Sequence, residues 1–301
     1  APKARIWALR GGEYAIAEAG EVRGNFKQRY VYPPLPPPPP AAVDAAGYDA
    51  VSLAKAVRRI LAERGEADVV NVNGHRYLGN GMESGVLRAW GIVGNASANV
   101  MSGGAFFVYG DVEDDFGDAM NGGVAAVYGN AGDALGQAKR GGEIYIYGDA
   151  GTRAAIQHRG GVVVIGGSAG RYLGEYMGGG TVVVLRATNN EEVGDRIASG
   201  MVGGRIYIKG EVPKGAVMQA DARGWERYLR SLLLDGLISE EEYAKLKDSI
   251  NGALRVEVRE LGEEELKELN PYIHRFNVLF NTNININKEI FTVIYSTGFA
   301  E

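Results

Sequence analysis

The chain contains no cysteine among its 301 residues. This excludes disulfides, thiolate metal sites, cysteine-bound iron–sulfur clusters and a cysteine nucleophile within the chain. No apolar run approaches the about 20 residues that span a membrane, and the start, "APKARIWALRGGEY", lacks the apolar core of a secretory signal. We therefore expect a cytoplasmic protein that contacts no membrane.

Positive charge and histidine are also scarce. The formal net charge is −5, with 32 Lys and Arg against 37 Asp and Glu, so no basic surplus indicates nucleic-acid binding. The histidines His75, His158 and His274 are scattered and match no paired metal-ligand spacing. We assign no catalytic, cofactor-binding or metal-binding residue to the sequence.

Glycine is abundant instead, with 45 residues that include pairs on a fixed period. Successive pairs are equally spaced along the chain, except that the step to the last pair is longer. These structural repeat glycines are Gly103, Gly104, Gly122, Gly123, Gly141, Gly142, Gly160, Gly161, Gly179, Gly180, Gly203 and Gly204. A phosphate-binding loop occurs once, whereas a repeated period indicates a repeat architecture.

A short strand follows each glycine pair. The second and fourth residues after the pair are apolar, as in Ile144 and Ile146, and the residues between them include polar ones such as Glu143. This alternation is typical of a half-buried strand. A second turn is marked by a further small residue, at Gly117, Gly136, Ala155 and Gly174. We predict a mainly β fold, a single-stranded parallel β-helix with coils of about 19 residues, about seven coils in all.

The pattern divides the chain into four segments. Residues 1–40 form an N-terminal extension, in which "PPLPPPPP" favours a stiff polyproline spacer over a docking site for an SH3-like partner. Residues 41–70 contain a leading amphipathic helix whose apolar stripe favours packing. Residues 71–212 form the β-helix, and residues 213–301 form a C-terminal helical cap and tail.

The C-terminal segment is expected to cap one end of the solenoid with helices. A capping box of Ser239 and Glu242 begins the second of these, and "GEEELKELNP" predicts a short third helix that ends before Pro271. The first helix, in "DARGWERYLRSLLLDG", carries an apolar face made of Trp225, Tyr228, Leu229, Leu232 and Leu233.

Two groups of residues are candidates for contact with a partner. One tyrosine recurs at the end of successive strands and is expected to stack into an aromatic ladder on the surface, which stabilises the sheet and, if exposed, offers a docking face. The other group lies in "NVNGHRYLG" before the regular repeats. The candidate contacts are His75, Arg76, Tyr77, Tyr109, Tyr128 and Tyr147.

The remaining histidine of the repeat and the acidic cluster are interpreted as structural. His158 shares a column with methionines and Lys139, which we interpret as a variable corner position. "DVEDDFGD" at 111–118 offers paired carboxylates of the kind that glycosidic chemistry uses, but the equivalent turns drop the acids, which favours a solvated turn. Glycine intervals of 6, 7 and 6 break the strict sixes of hexapeptide acyltransferases.

The repeat pattern GGxxxVxGxxGxxxGxxMxGG resembles the GXGXG domain over about residues 71–212. That domain forms the C-terminal right-handed β-helix of the glutamate synthase large subunit and also occurs in one of the subunits of formylmethanofuran dehydrogenase. "IGGSAGRYLGEYMGGG" and "MVGGRIYIKGEV" resemble the stand-alone form, found in archaea and some bacteria, in which the glutamate synthase domains are separate polypeptides. The resemblance implies a right-handed β-helix.

The resemblance also implies a function without catalysis. In glutamate synthase, an amidotransferase releases ammonia from glutamine, and a domain with FMN and an iron–sulfur cluster reduces the 2-iminoglutarate formed from ammonia and 2-oxoglutarate. A scaffold subunit of such a complex is implied, with no cofactor in this chain and with two partners, a glutamine amidotransferase subunit and an FMN and iron–sulfur synthase subunit.

Other functions stay open at this stage. One is the role of the GXGXG-containing subunit in a formylmethanofuran dehydrogenase-like complex. Another, from a different class, is a free-standing β-helix enzyme, a polysaccharide lyase or an acyltransferase, in which Asp114, Asp115 and His75 would carry the activity. A third is a homo-oligomeric structural protein.

Overall fold

The computed structural model describes residues 9–10, 13–14, 33–187, 192–218, 222–252 and 254–296. The strands are β1 (Leu9–Arg10), β2 (Glu13–Tyr14), β3 (Val43–Asp44), β4 (Glu66–His75), β5 (Val86–Val93), β6 (Ser102–Tyr109), β7 (Gly122–Val127), β8 (Glu143–Ile146), β9 (Val162–Ile165), β10 (Gly178–Val184), β11 (Gly203–Lys209), β12 (Arg255–Glu260) and β13 (Ile290–Tyr295). The α-helices are α1 (Ala50–Arg64), α2 (Ala222–Leu234), α3 (Glu240–Gly252) and α4 (Glu263–Phe280).

One sheet organises the molecule, in the order β12-β13-β11-β10-β9-β8-β7-β6-β5-β4-β3. Strands β3 to β11 are parallel, and neighbours between β5 and β10 pair at one constant step, as Ile144 does with Val163. The step from β10 to β11 is longer, since Val182 pairs with Ile206. The predicted parallel β-solenoid is confirmed, but with about six turns where about seven were predicted.

A second side of each turn is held by single bridges at the same period. Val93, Val112, Ala131, Ala150 and Ala169 pair in succession as parallel bridges. They are buried small or branched residues whose side chains join the solenoid core. The turns therefore stack through the main sheet on one side and through this column of single bridges on the second side. The apolar interior lies between the two.

The third side uses left-handed backbone at alternate positions. In one turn Ala134, Gly136 and Ala138 have φ of 57°, 63° and 50°. The Gly136 N–H donates to Phe116 O in the preceding turn at 2.8 Å, while Ala134 and Ala138 donate to the following turn. The alternation thus satisfies backbone groups in both directions. The predicted second corner is confirmed at Gly136 and its equivalents.

The second glycine of each pair lies where a side chain has no room. Gly123 has a φ of 81°, and a Cβ on it would lie 2.8 Å from Gly103 C, Gly104 O and Met101 Cε. The Met101 side chain belongs to the preceding turn and is buried in the interior. The second glycine of each pair is therefore required both by the left-handed conformation and by close stacking of turns, and the first, such as Gly122, by close stacking alone.

Helix α1 covers the N-terminal end of the solenoid. The Asp49 carboxylate accepts from the N–H groups of Val51 and Ser52, and Gly65 ends the helix with a φ of 75°. Leu53 and Val57 are buried against the solenoid core. The interpretation of the apolar stripe as a packing face is confirmed.

The proline-rich segment lies against the outer face of the sheet. Pro33 is buried, Leu35 packs against the aromatic cluster there, and the Trp90 Nε1–H donates to Pro36 O at 2.8 Å. Residues 33–40 thus contact the sheet at β5, and they also connect the segments of the chain on either side of them.

The C-terminal end of the solenoid is closed by strands, where helices were expected. Strand β13 pairs antiparallel with β11, and β12 pairs antiparallel with β13. Strand β12 is the edge, and its sequence "RVEVRE" alternates charged residues with valine. Charged side chains at an edge oppose pairing with another molecule.

Helix α4 lies over the outer face of the sheet. It continues through Pro271, so the prediction of a short helix ending before that residue is wrong. Proline costs the helix one hydrogen bond, but Leu269, Ile273 and Phe276 are buried against the sheet and hold the helix together on both sides of the proline. The side chain of Trp225 in α2 lies outside the residues whose burial the structure describes.

Candidate functional site

His75 is fixed by two hydrogen bonds at the end of β4. Its Nδ1 accepts from the Asn73 N–H at 3.1 Å, so the proton of the neutral ring is on Nε2, which lies 3.1 Å from Tyr48 O. These bonds tie the strand to the segment before α1. Two residues follow His75 in the chain. Tyr77 is 37% exposed, and the Arg76 guanidinium carbon lies 5.1 Å from the centre of the Tyr77 ring. Arg76 and Tyr77 form an exposed cation–π pair.

The tyrosine ladder forms, but it is covered by the chain itself. Ring centroids are 4.7 Å apart for Trp90 and Tyr109 and 4.8 Å apart for Tyr109 and Tyr128. Tyr109 and Tyr128 are each only 8% exposed, because Phe280 of α4 packs on Tyr128 and Tyr147 at 4.9 and 5.5 Å. Burial raises the pKa of Tyr128 to about 12. The expectation of a ladder on the surface is wrong.

The acids of "DVEDDFGD" at 111–118 bind backbone N–H groups of the next turn. Asp111 Oδ1 accepts from the Asn130 N–H at 2.8 Å, and Asp114 Oδ1 accepts from the Asp133 N–H at 2.8 Å. Asn130 occupies the same position one turn later and accepts from the Asp149 N–H at 2.9 Å. These side chains form ladders along the corners, which gives them a structural role.

The ladder predicts that amide and carboxylate are interchangeable at Asp111. We expect Asp111→Asn to leave the free energy of unfolding nearly unchanged, since Asn130 already makes this bond. Asp111→Ala is expected to lower it by about 1 kcal/mol, the usual contribution of one hydrogen bond. Chemical denaturation of both variants measures the difference, and equal losses would contradict the ladder.

The column that contains His158 is in the interior of the solenoid, so its interpretation as a variable corner is wrong. All its members are buried: Met82, Met101, Met120, Lys139, His158, Met177 and Met201. Lys139 Nζ donates to Gly142 O at 2.5 Å and to Gly160 O at 3.2 Å. His158 Nε2 lies 3.2 Å from Gly161 O. A polar pair thus occupies the middle of a column of methionines.

Burial makes the protonated forms of Lys139 and His158 unfavourable. Burial lowers the pKa of Lys139 to about 7, against a smaller opposing effect of Glu143. Burial, and next the charge of Lys139, lower the pKa of His158 to about 3. The sequence signal for Lys139 was its place in the methionine column, but sequence alone did not show that the column points inward.

Arginines surround one tyrosine on the third side. The guanidinium carbons of Arg153, Arg171 and Arg196 lie 4.8, 5.5 and 5.6 Å from the centre of the Tyr172 ring. Arg153 pairs with Glu175 at 2.9 Å, and Arg171 pairs with Asp195. These residues come from successive turns, so the cluster links turns on the outside as the ladders do at the corners.

Side chains of the metal-binding types are scattered over the described residues. Among them, no group of three or more His, Cys, Asp or Glu side chains is arranged to hold a metal ion. The described helices also include none that is long and apolar enough to cross a membrane. The polar side chains singled out by the sequence mostly bind the chain's own backbone.

A protein-family model described as GXGXG motif matches residues 75–282. The match covers more than half of the 301-residue chain and includes the stacked turns, α2 to α4 and β12. No curated protein matches the chain significantly.

Proposed function

The chain belongs to the GXGXG-motif family, and on that premise we propose that it is a non-catalytic β-helix scaffold subunit of a multi-subunit, glutamate-synthase-like complex. The complex would convert glutamine and 2-oxoglutarate to glutamate. The observation that carries the proposal is the family match over residues 75–282, in which the repeat glycines build the stacked turns.

The chemistry of the chain supports a role without catalysis. It has no cysteine to act as an amidotransferase nucleophile or as a ligand of an iron–sulfur cluster. The acids at Asp111 and Asp114 accept backbone hydrogen bonds, and His75 is held by Asn73 and Tyr48. We therefore assign the ammonia-releasing step to a glutamine amidotransferase partner and the reductive step to a partner with FMN and an iron–sulfur cluster.

We assign two exposed surfaces as candidate contacts for those partners. The exposed pair of Arg76 and Tyr77 lies near the N-terminal end of the solenoid. The α2–α3 hairpin exposes Leu234 and Leu237, which are 80% and 69% accessible. We assign this hairpin as a candidate partner surface on the exposure of these two leucines.

Reconstitution tests the proposal. The amidotransferase and synthase chains are assayed for glutamate formation with glutamine and, separately, with ammonia, each with and without this chain. A scaffold that holds the two in register is needed when ammonia passes between them, so we expect the chain to raise glutamine-dependent activity far more than ammonia-dependent activity. Equal effects on both activities would contradict the proposal.

A triple variant separates the scaffold from an enzyme. Asp114→Asn keeps the oxygen that accepts from the Asp133 N–H, and we combine it with Asp115→Asn and His75→Gln to remove the candidate catalytic groups. The scaffold proposal expects this variant to support the complex as the native chain does. Loss of activity in a variant with an unchanged unfolding transition would favour a catalytic role for these side chains over the scaffold role.

A further inference from the structure

From the second turn onward, the third side donates hydrogen bonds to the turn before it. The Ala98 N–H donates to Leu78 O at 2.7 Å, and the Ser102 and Gly103 N–H groups both donate to Met82 O at 2.9 and 3.2 Å. The same three bonds recur at the equivalent residues of each following turn. Each turn thus supplies two carbonyl oxygens that its successor needs.

In the part of the chain that the structure describes, β3 and α1 precede the first turn in place of another turn. The equivalent residues of the first turn, one repeat earlier in the sequence, are Gly79, Glu83 and Ser84. Within the described part of the chain, the N–H groups of these residues find no acceptor. Gly79 lies in the same alternating left-handed backbone as the later turns, with φ of 67° at Tyr77, 71° at Gly79 and 64° at Gly81. Tyr77 and Gly81 donate to Asn95 O and Asn99 O of the following turn, so by analogy with Ala98 the Gly79 N–H points the other way, towards α1.

These three residues line a groove between the first turn and α1. The groove has a volume of about 430 Å³, which is in the range of small-molecule sites. Ala54, Leu61 and Ala62 of α1 line it and are at least partly exposed, so they give it an apolar wall. The groove therefore combines an apolar side with donors that lack partners.

Arg58 adds a positive charge to the same groove. Its Nη2 donates to Asn80 O at 3.1 Å, which holds the guanidinium beside the turn and leaves other N–H groups of the fork for a ligand. Glu83 contributes the one carboxylate among the groove-lining residues. Glu83 and Ser84 are exposed, so acceptor oxygens of a ligand would replace water at these donors, and the arginine favours oxygens that carry negative charge.

We propose that this groove binds a small organic carboxylate. The carboxylate oxygens would take the places that carbonyl oxygens of a preceding turn fill elsewhere in the solenoid, and Arg58 would pair with their charge. The carbon chain of the ligand would lie along Ala54, Leu61 and Ala62, which favours an organic acid over inorganic phosphate. The proposal does not depend on the scaffold function, because it rests on the geometry of the first turn alone.

The test is a titration of the ¹⁵N-labelled full chain followed by amide NMR shifts, with glutarate and inorganic phosphate as separate probes. We expect glutarate to shift the amides of Gly79, Glu83 and Ser84 in a saturable way. The internal control is the next turn, where the amides of Ala98 and Ser102 already have acceptors and are expected to stay in place. Phosphate is expected to bind more weakly.

Two charge variants complete the test. Arg58→Gln is expected to weaken glutarate binding about tenfold, the effect of losing one charge-assisted interaction, and Glu83→Gln is expected to strengthen it. Both residues are exposed, so the control amides report that the fold is unchanged. The proposal is overturned if glutarate produces no saturable shift at these three amides, if phosphate binds as tightly as glutarate, or if Arg58→Gln binds glutarate like the native chain.

Discussion

Gly123→Ala is expected to lower the free energy of unfolding by about 2–5 kcal/mol, the sum of a backbone and a packing effect. About 1–2 kcal/mol comes from forcing a side chain into left-handed backbone, and about 1–3 kcal/mol comes from overpacking. The new Cβ would meet Gly103 C and Gly104 O of the preceding turn at 2.8 Å, together with Met101 Cε. Backbone atoms in a stacked turn cannot move aside without disturbing the ladder.

Gly136→Ala is the matched control for this prediction. Gly136 also has a positive φ, of 63°, but a Cβ there would lie 3.5 Å from Ile144 Cδ1 and Val163 Cγ2. The equivalent residue of the next turn is Ala155, with a φ of 58°. Chemical denaturation should therefore show a loss of only about 1–2 kcal/mol. Equal losses in the two variants would contradict the role assigned to the glycine pairs.

Lys139→Met is expected to stabilise the protein by about 1–4 kcal/mol at neutral pH, as replacement of buried ionic groups by apolar ones can do. Methionine occupies the same column at Met101, Met120 and Met177, so the substitution repeats what neighbouring turns already contain. Lys139 is buried, and its amine donates to the backbone carbonyls of Gly142 and Gly160.

The gain from Lys139→Met depends on pH in a defined direction. The pKa of Lys139 is about 7 in the folded chain, against an ordinary value of 10.5. Between these values the unfolded chain holds a proton that the folded chain does not, so stability rises with pH across this window. Lys139→Met removes the rise, and its advantage is expected to be largest below a pH of about 7 and to vanish towards 10.5.

Chemical denaturation of the native chain and of Lys139→Met, near neutral pH and again close to the ordinary pKa of lysine, measures how their difference in stability depends on pH. Lys139→Gln, which removes the charge but retains a donor, serves as the control for the hydrogen bonds to Gly142 O and Gly160 O. If Lys139→Met is less stable than the native chain at both pH values, the hydrogen bonds of the amine outweigh its desolvation, and our account of the column is wrong.

The repeat could be predicted from sequence because every turn must meet the same physical requirements. Glycine at Gly123 and Gly142 is demanded by left-handed backbone and close stacking, and Ile144 and Ile146 in β8 are demanded by the apolar interior of the solenoid. Periodicity therefore predicted the parallel solenoid and the length of its turns. The right-handed sense of the helix stays a prediction from the family resemblance.

What lies outside the solenoid depended on contacts between distant segments. Tyr128 and Tyr147 alternate with buried residues as surface residues do, but Phe280 of α4, from much later in the chain, packs on them. Pro271 is a local signal for a helix end, and burial of Leu269 and Phe276 on the sheet overrides it. Local patterns do not report which face a later helix covers.

The candidate sites show the same limit. A sequence shows that Lys139 and His158 share a column, but the direction of the column follows only from the left-handed third side of the turn. The groove beside Arg58 is visible only when the hydrogen bonds of the first turn are compared with those of later turns. Each feature is a departure of one part of the chain from the regular repeat. In the column, Lys139 and His158 replace methionines, and in the first turn, among the described residues, three backbone hydrogen bonds of the later turns are missing.

Native purification from the source organism tests the scaffold proposal most directly. The tagged chain is isolated under mild conditions, its partners are identified by mass spectrometry, and the absorption spectrum of the complex is recorded. We predict co-purification with a glutamine amidotransferase and with a yellow flavoprotein that carries an iron–sulfur cluster. A colourless, solitary chain, or one bound to a molybdenum or tungsten protein, would contradict the assignment to glutamate synthesis.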